Sequence, residues 1–508
     1  MAIKIYSATY SAMEGLIVNV EVDITKGMPT FTIVGLPDTA VKESKQRVRS
    51  AIINSGFEFP IGRITINLAP ADMRKIGSLL DLPIALGILM ETKQMRQRDL
   101  TDYIVFGELS LSGEIKGVRG TLPIIIGGLE KSFKKYIFPY ENVNECIYSH
   151  NTLHFPFNKL KEAVSFINFE DVLPYEEEDL RKEIDNEFLD FSQIVGQENS
   201  KRAMEIAAAG NHNIILYGST GVGKTMLAKA LPSILPSLTP EEELEVAKVY
   251  SISGLLQEQN RVKRPFRTPH HTATRCSIVG GGRGVRAGEV TLAHKGVLFF
   301  DELLEFSREV LEVLREPLED GFIHINRLYN NYKLPSDFLF VGSFNLCPCG
   351  KSSLDSMEDI SCTCTEMQRT RYLNRLSKAL KDRIDIYAYV PRVEYKDIKD
   401  IKNEYNSNKM RERVTNARES QRVRLNGSKY YYNSQIKGRD IYELCRISRS
   451  VEKILEQYFN SSKPSLRAYG KVIKLGRTIA DIEGFKDITE GNIIEAMGFR
   501  KDYNGEIL

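Results

Sequence analysis

Long apolar runs are missing from this chain of 508 residues. Its most apolar stretch, Leu79 to Met90, is interrupted by Asp81 and Pro83 and is too short to cross a bilayer. The first residues alternate apolar and polar side chains and lack the continuous apolar centre of a secretory signal, so a cytoplasmic location is the expectation. Cysteine is scarce too. Seven residues, an odd count, are too few for a disulfide framework and fit a reducing compartment. An excess of one charge is also lacking: 69 Lys and Arg nearly balance 67 Asp and Glu, and a net of +2 announces neither a nucleic-acid nor a membrane partner. What is present is a globular composition, 27% charged, with length for about three domains at roughly 150 residues each.

The near-neutral total hides an uneven distribution. Residues 171–187 carry eight acidic and two basic side chains, a run that reads as a solvated linker. Two windows are basic. Residues 261–288 hold seven Lys and Arg and no acid, and residues 409–429 hold seven basic and two acidic side chains, so a polyanionic partner fits the distribution if not the sum. Together with Pro391, which stops a strand pattern, the acidic run divides the chain. Residues 1–172 mix strands (16–22, 30–34, 61–68) with a helix over 39–54. Residues 173–188 form the linker. Residues 189–392 alternate strands and helices, the pattern of an α/β domain with a parallel sheet, and residues 393–508 read as helices.

The strongest local signal is Gly218-Ser219-Thr220-Gly221-Val222-Gly223-Lys224-Thr225. It follows a buried-strand run, 214–217, and opens a helix, which is the context a phosphate-binding loop needs. Glycines let backbone N–H groups approach phosphate oxygens, and the helix N-terminus adds the positive end of its dipole. Lys224 is expected on the β- and γ-phosphates of ATP, with Thr225 on magnesium. A second apolar run, 297–300, ends in Asp301 and Glu302: Asp301 for the magnesium, Glu302 to polarise the attacking water. A third, 338–344, ends in Asn345, an amide placed to orient that water.

From Thr225 to Val297 is a span of 72 residues, more than a simple crossover of about 30 requires. The excess contains a helix starting at Thr239-Pro240 and the first basic window, where Arg275, Arg283 and Arg286 flank a glycine-rich hairpin. These arginines suit a DNA backbone. A solvated loop, or arginines reaching a neighbouring subunit's nucleotide, are the alternatives. His270, His271 and His294 share the insert and are expected to hydrogen-bond within it, with a metal role as the alternative. Cys347, Cys349, Cys362 and Cys364 form C-x-C-x12-C-x-C, a thiolate set suited to tetrahedral zinc or else a loop of free thiols. Cys146, Cys276 and Cys445 read as small apolar residues.

The order of phosphate loop, Arg264-Pro-Phe-Arg-Thr-Pro-His-His-Thr272, Val279-Gly-Gly-Gly282, Gly288 to Leu303 and Asn345-Leu-Cys-Pro-Cys-Gly350 resembles the magnesium-chelatase-like AAA+ ATPases, and more narrowly the YifB/ComM family. Ser465 to Tyr469 and Arg477 to Glu483 extend the resemblance to the C-terminus. It implies an AAA+ core, a helical lid and a homo-oligomeric ring, usually a hexamer, with ATP between subunits. The finger arginine that reaches a neighbour's γ-phosphate falls on Arg383, with Arg375 a second candidate, and the lid arginine falls on Arg467. Arg327 and Lys333, on a second hairpin, join the insert arginines as DNA contacts. Similarity to ComM-like members implies a helicase that drives branch migration of recombination intermediates during DNA uptake. Chelatase-type relatives imply instead a remodelling chaperone acting on a protein or metal–cofactor complex.

Residues 107–114 and 119–123 resemble the proteolytic domain of Lon-type proteases, close to a ribosomal-protein S5-like α+β fold. Where the serine nucleophile should fall stands Leu80-Asp81-Leu82-Pro83, and the lysine position falls near Gly127-Gly128 with Lys131 out of register. A binding or assembly module without peptidase activity is the expectation.

Overall fold

A computed structural model describes residues 3–75, 77–169, 172–176, 188–256, 261–282, 286–326, 331–352, 362–393, 405–462 and 464–501. Most of the acidic linker, Arg283 and Arg327 lie outside them. The described residues group into two compact units.

The first unit draws on Met1–Lys182, Pro240–Lys263 and Leu328–Leu334. Its larger sheet runs Ile3–Ser11, Glu14–Thr25, Arg63–Ala69, Thr30–Val34 in spatial order, and only the last pairing is parallel. A second sheet is parallel: Tyr103–Val105, Lys135–Pro139, Leu153–Phe157. The helix Thr39–Asn54 starts where Asp38 caps it, its carboxylate accepting from the Val41 N–H at 2.8 Å. That helix buries Val41, Ser44, Val48, Ala51 and Ile52, the spacing of one helical face. The helix Asp81–Glu91 is buried along almost its whole length, which is why its sequence is apolar without periodicity.

The helix Pro240–Ser253 belongs to this first unit, although its sequence lies inside the segment read as the ATPase core. The Gly120 N–H donates to the Ser251 carbonyl at 3.1 Å. The Ser251 hydroxyl and the Leu122 N–H both donate to the Glu145 carboxylate, which burial pushes up to about 7. The lengthy insert therefore serves partly to carry a helix onto the N-terminal unit.

The second unit holds a five-stranded sheet in the order Phe266–Arg267, Val297–Phe300, Leu339–Phe344, Ile214–Tyr217, Ile386–Tyr389, every pairing parallel. By chain order the strands lie 2-3-4-1-5. The order reverses beside Ile214–Tyr217, and in such sheets ligands sit at that reversal, outside the carboxyl ends of the strands. Ile214 and Leu216 face one core cluster while Ile215 and Tyr217 face another, the period-two alternation of a strand covered on both sides.

The first cluster continues into the C-terminal helices Ser407–Leu425 and Leu466–Ile482 through Met410, Val414, Ala417, Val472, Ile473 and Ile479. The lid segment thus shares a core with the sheet. It also shares buried charge. Asp385, at the start of the last strand, pairs with Lys471 at 2.9 Å and lies 3.5 Å from His212. Burial opposes its ionisation, yet Lys471, His212 and Lys474 hold it well below the ordinary carboxylate range. Burial likewise pushes Lys471 down to about 8. Removing one member leaves buried charge uncompensated, so Asp385→Ala should cost about 3–5 kcal/mol in urea unfolding of the second unit. A change within about 0.5 kcal/mol, the range of surface substitutions, would contradict the network's structural role.

Candidate functional site

The loop after Ile214–Tyr217 turns back over the strand end before the helix Lys224–Ala230 begins. Gly221 and Gly223 have φ of 81° and 99°, a region that favours glycine, and no other group lies near where their Cβ atoms would be. The opening that results suits a ligand bound close to the backbone. Lys224 is buried at the head of the helix, and its ammonium donates to the Gly218 carbonyl at 3.0 Å, the Ser219 carbonyl at 2.7 Å and Asn345 Oδ1 at 2.9 Å. Burial pushes this ammonium down to about 8, against the pull of Asp301 and Glu302. A cation so placed is completed by a bound anion, and a polyphosphate fits that requirement.

The neighbouring strands deliver the remaining groups. Thr225 Oγ1 donates to Asp301 Oδ2 at 2.9 Å, joining two residues 76 positions apart. A hydroxyl and a carboxylate side by side form an oxygen set suited to magnesium. Ser343 donates its hydroxyl to the other Asp301 oxygen, and the Glu302 N–H lies 3.3 Å from the same hydroxyl. Glu302 has a left-handed backbone (φ 52°) and an exposed carboxylate. His271 Nδ1 stands 3.9 Å from that carboxylate, and its ring packs on His270 at 4.1 Å. From the sequence, these histidines are expected to bond within the insert. His270 does bond Thr272, but His271 faces Glu302, and His294 Nδ1 accepts from the Asp337 N–H. Sequence spacing gives no signal for Ser343, and it marks His271 without indicating that it faces Glu302.

Arg383 and Arg467 meet on one carboxylate. Both donate to Glu319, and Arg383 also donates to the carbonyls of Arg315 at 3.0 Å and Ala379 at 2.7 Å. Among the described residues their partners all lie outside the loop 218–225. Arg467 is exposed and Arg383 half-buried, so one surface of the unit presents both. Arg375 instead donates to the Leu304 carbonyl at 2.6 Å.

The basic windows require correction. In the first, Arg261 pairs with Glu243 and Arg267 with Glu289, while Arg264 donates to the carbonyls of Pro236 and Lys295. Arg275 and Arg286 are exposed, the latter on a short ribbon of Gly280–Gly281 and Arg286–Ala287, and Lys333 is exposed on the strand Asn331–Pro335. In the second window, Arg413 pairs with Glu205, Arg424 with Asp481, Arg411 donates to the Ser233 carbonyl and Arg418 to that of Ala208. That helix packs against the helix Glu198–Gly210, so much of its charge is spent within the unit rather than offered to a polyanion.

Comparison with known proteins follows the same lines. The family model described as "Magnesium chelatase, subunit ChlI" matches residues 190–398, "Subunit ChlI of Mg-chelatase" matches 20–142, and "Magnesium chelatase, subunit ChlI C-terminal" matches 404–500. The competence protein ComM of Haemophilus influenzae is 38% identical over 503 residues, covering 98% of this chain and 97% of its own. The chain belongs to the magnesium-chelatase-like YifB/ComM family. YifB of Escherichia coli is 38% identical over 488 residues, covering 95% and 94% of the two chains. The magnesium-chelatase 67 kDa subunit of Chlorobaculum parvum is 27% identical over 159 residues, 30% of this chain and 23% of its own.

Family membership implies ATP with magnesium, and the loop geometry suits such a ligand. Because the free Lys224 ammonium loses its proton near pH 8, and a bound phosphate restores it, binding takes up a proton above that pH. Affinity for an ATP analogue should therefore fall about tenfold between pH 7 and pH 9. A fluorescence titration giving a flat profile would contradict this.

Proposed function

We propose that this YifB/ComM-family protein is a ring-forming AAA+ ATPase, a hexamer, that couples ATP hydrolysis to DNA binding and translocation as a branch-migration helicase in recombination or DNA uptake. The observation that carries the ATPase reading is the convergence of Lys224, Thr225, Asp301 and Asn345 through hydrogen bonds of 2.9 Å. Lys224 and the loop N–H groups hold the phosphates. Thr225 and Asp301 hold magnesium, which neutralises charge on the phosphates when bound. Glu302 takes the proton of the attacking water, with Asn345 orienting it. The exposed Arg467 and the half-buried Arg383 beside it would serve a neighbouring subunit's nucleotide, which fits their lying away from their own loop.

The DNA reading rests on the exposed Arg275, Arg286 and Lys333 and on the similarity to ComM; Arg283 and Arg327 belong to the same candidate set. The cysteine cluster would hold structural zinc. The N-terminal unit is proposed as a Lon-like binding or assembly module. Within Leu80 to Pro83, where the nucleophile would fall, no serine stands, and the Asp81 carboxylate accepts two bonds from Arg47, at 2.6 and 3.0 Å. The chelatase matches favour a second reading, a chaperone that remodels a protein or metal–cofactor complex.

Two measurements separate these readings. Glu302→Gln should lower turnover by at least about 10²-fold, the contribution of a positioned base, while retaining bound ATP. Wild-type ATPase should rise with single-stranded or four-way DNA, and the stimulation should weaken steeply with salt, as phosphate contacts require. An ATPase indifferent to every DNA form would overturn the helicase reading and favour the chaperone.

A further inference from the structure

Cys347, Cys349, Cys362 and Cys364 bring four Sγ atoms within 4.8 Å of one another, and among the described residues they are the one such group of metal-type ligands. The Sγ separations are 3.3 Å for 347–349, 3.5 Å for 349–362 and 3.6 Å for 347–362. A disulfide requires about 2.05 Å, so these are not bonded pairs. A tetrahedron with zinc–sulfur bonds of about 2.3 Å has edges of about 3.8 Å, which is the scale observed. The Ser352 N–H points at Cys347 Sγ at 3.3 Å, a donor that would favour the thiolate form.

This cluster is bonded into the nucleotide site. The Thr220 N–H of the phosphate loop donates to the Gly350 carbonyl at 2.8 Å. Gly350 follows Cys349 directly and has φ of 73°, and a Cβ there would lie 2.0 Å from Thr220 Oγ1. Two residues before Cys347, Asn345 accepts from Lys224. The Lys351 carbonyl accepts from Arg392 at 3.5 Å, and Arg392 Nε donates to Ser219 Oγ at 3.3 Å. Ser219, Thr220 and Lys224 are thus each tied to residues 345–351.

We propose that the four-cysteine centre is a metal-held clamp on the phosphate loop, so that its occupancy sets the protein's affinity for nucleotide. The inference rests on the nucleotide-binding reading of that loop. Residues 345–352 continue the strand Leu339–Phe344 without regular secondary structure of their own, and ordering each backbone residue costs roughly 1–2 kcal/mol. Binding a metal to Cys347 and Cys349, and joining them to Cys362 and Cys364, supplies that order from ligand bonds. The Gly350 carbonyl and the Asn345 amide then stand ready for Thr220 and Lys224. Without the metal, both partners would have to be ordered when nucleotide binds, and affinity would fall.

The full-length protein tests this with two readouts, zinc per chain by elemental analysis and affinity for a fluorescent ATP analogue. Wild type should carry about one zinc per chain. Cys362→Ser should lose the zinc and bind the analogue about tenfold more weakly, the effect of one lost hydrogen bond of ordinary strength. Gly350→Ala leaves every cysteine in place, so it should keep the zinc and still weaken binding. Cys276→Ser, an exposed cysteine outside the cluster, should change neither. The proposal is overturned if Cys362→Ser loses zinc yet binds like wild type, or if Gly350→Ala binds like wild type. It is equally overturned if wild type contains no zinc and takes none up when zinc alone is added. Should Cys362→Ser fail to fold, wild type stripped of zinc by a chelator decides: it should bind the analogue about tenfold more weakly and recover when zinc alone is restored, and unchanged binding would overturn the proposal. If wild type carries zinc but binds no analogue, the nucleotide reading fails, and that result is distinct from the others.

Discussion

Lys224 has to keep an ammonium charged inside a largely dehydrated loop, and much of the second unit is arranged around how it does so. Two loop carbonyls and the Asn345 amide surround the charge with oxygen, but none of these is an anion. The two nearest carboxylates, Asp301 and Glu302, attract it without fully offsetting burial. On the proposed reading, that deficit is what a phosphate would correct. The parallel sheet makes the meeting possible, because strands of equal direction end together and their C-terminal residues share one rim. Asp301, Glu302 and Asn345 follow successive strands of that rim, and Lys224 heads the helix beside them.

The same unit ties its C-terminal helices to the sheet by buried charge rather than by apolar contact alone. Asp385 with Lys471 and His212 joins residues from both parts of the unit, and Asp481 with Arg424 and Arg477 binds two of the C-terminal helices together. Buried pairs of this kind contribute little net stability compared with apolar replacements, but they are costly to break, which favours one arrangement over nearby alternatives. Arg467 lies at the start of the helix that carries Lys471, and Arg383 lies two residues before Asp385. The network therefore fixes the elements carrying both arginines, and Glu319 collects the two guanidinium groups on one surface. On the proposed reading this surface is what one subunit offers to the next.

The sequence made local features legible because local chemistry decides them. The helix Thr39–Asn54 was readable from its spacing, and the strand Ile214–Tyr217 from its apolar run before the loop. Asp301 and Asn345 were readable because a strand end fixes where the next side chain goes. Features set by distant partners were not. Nothing in Pro240–Ser253 indicates that its Ser251 hydroxyl is bonded to Glu145, more than a hundred residues earlier. The basic windows looked like offers to a polyanion because composition counts charges without their partners. Glu205, Glu289 and Asp481 occupy several of those charges, and only the fold brings them there. Glu319 carries no spacing signal, and His271 none for its place beside Glu302, since each gains its significance from residues far away in the chain.

The central claim is that one chain's loop and another chain's arginines make a single ATP site. Mixing Lys224→Ala chains with Arg383→Ala chains tests it most directly. Each variant alone should be nearly inactive, and the mixture should regain ATPase activity, because some neighbouring pairs then combine an intact loop with an intact arginine. A mixture no more active than its parts, or an Arg383→Ala protein as active as wild type, would contradict the account.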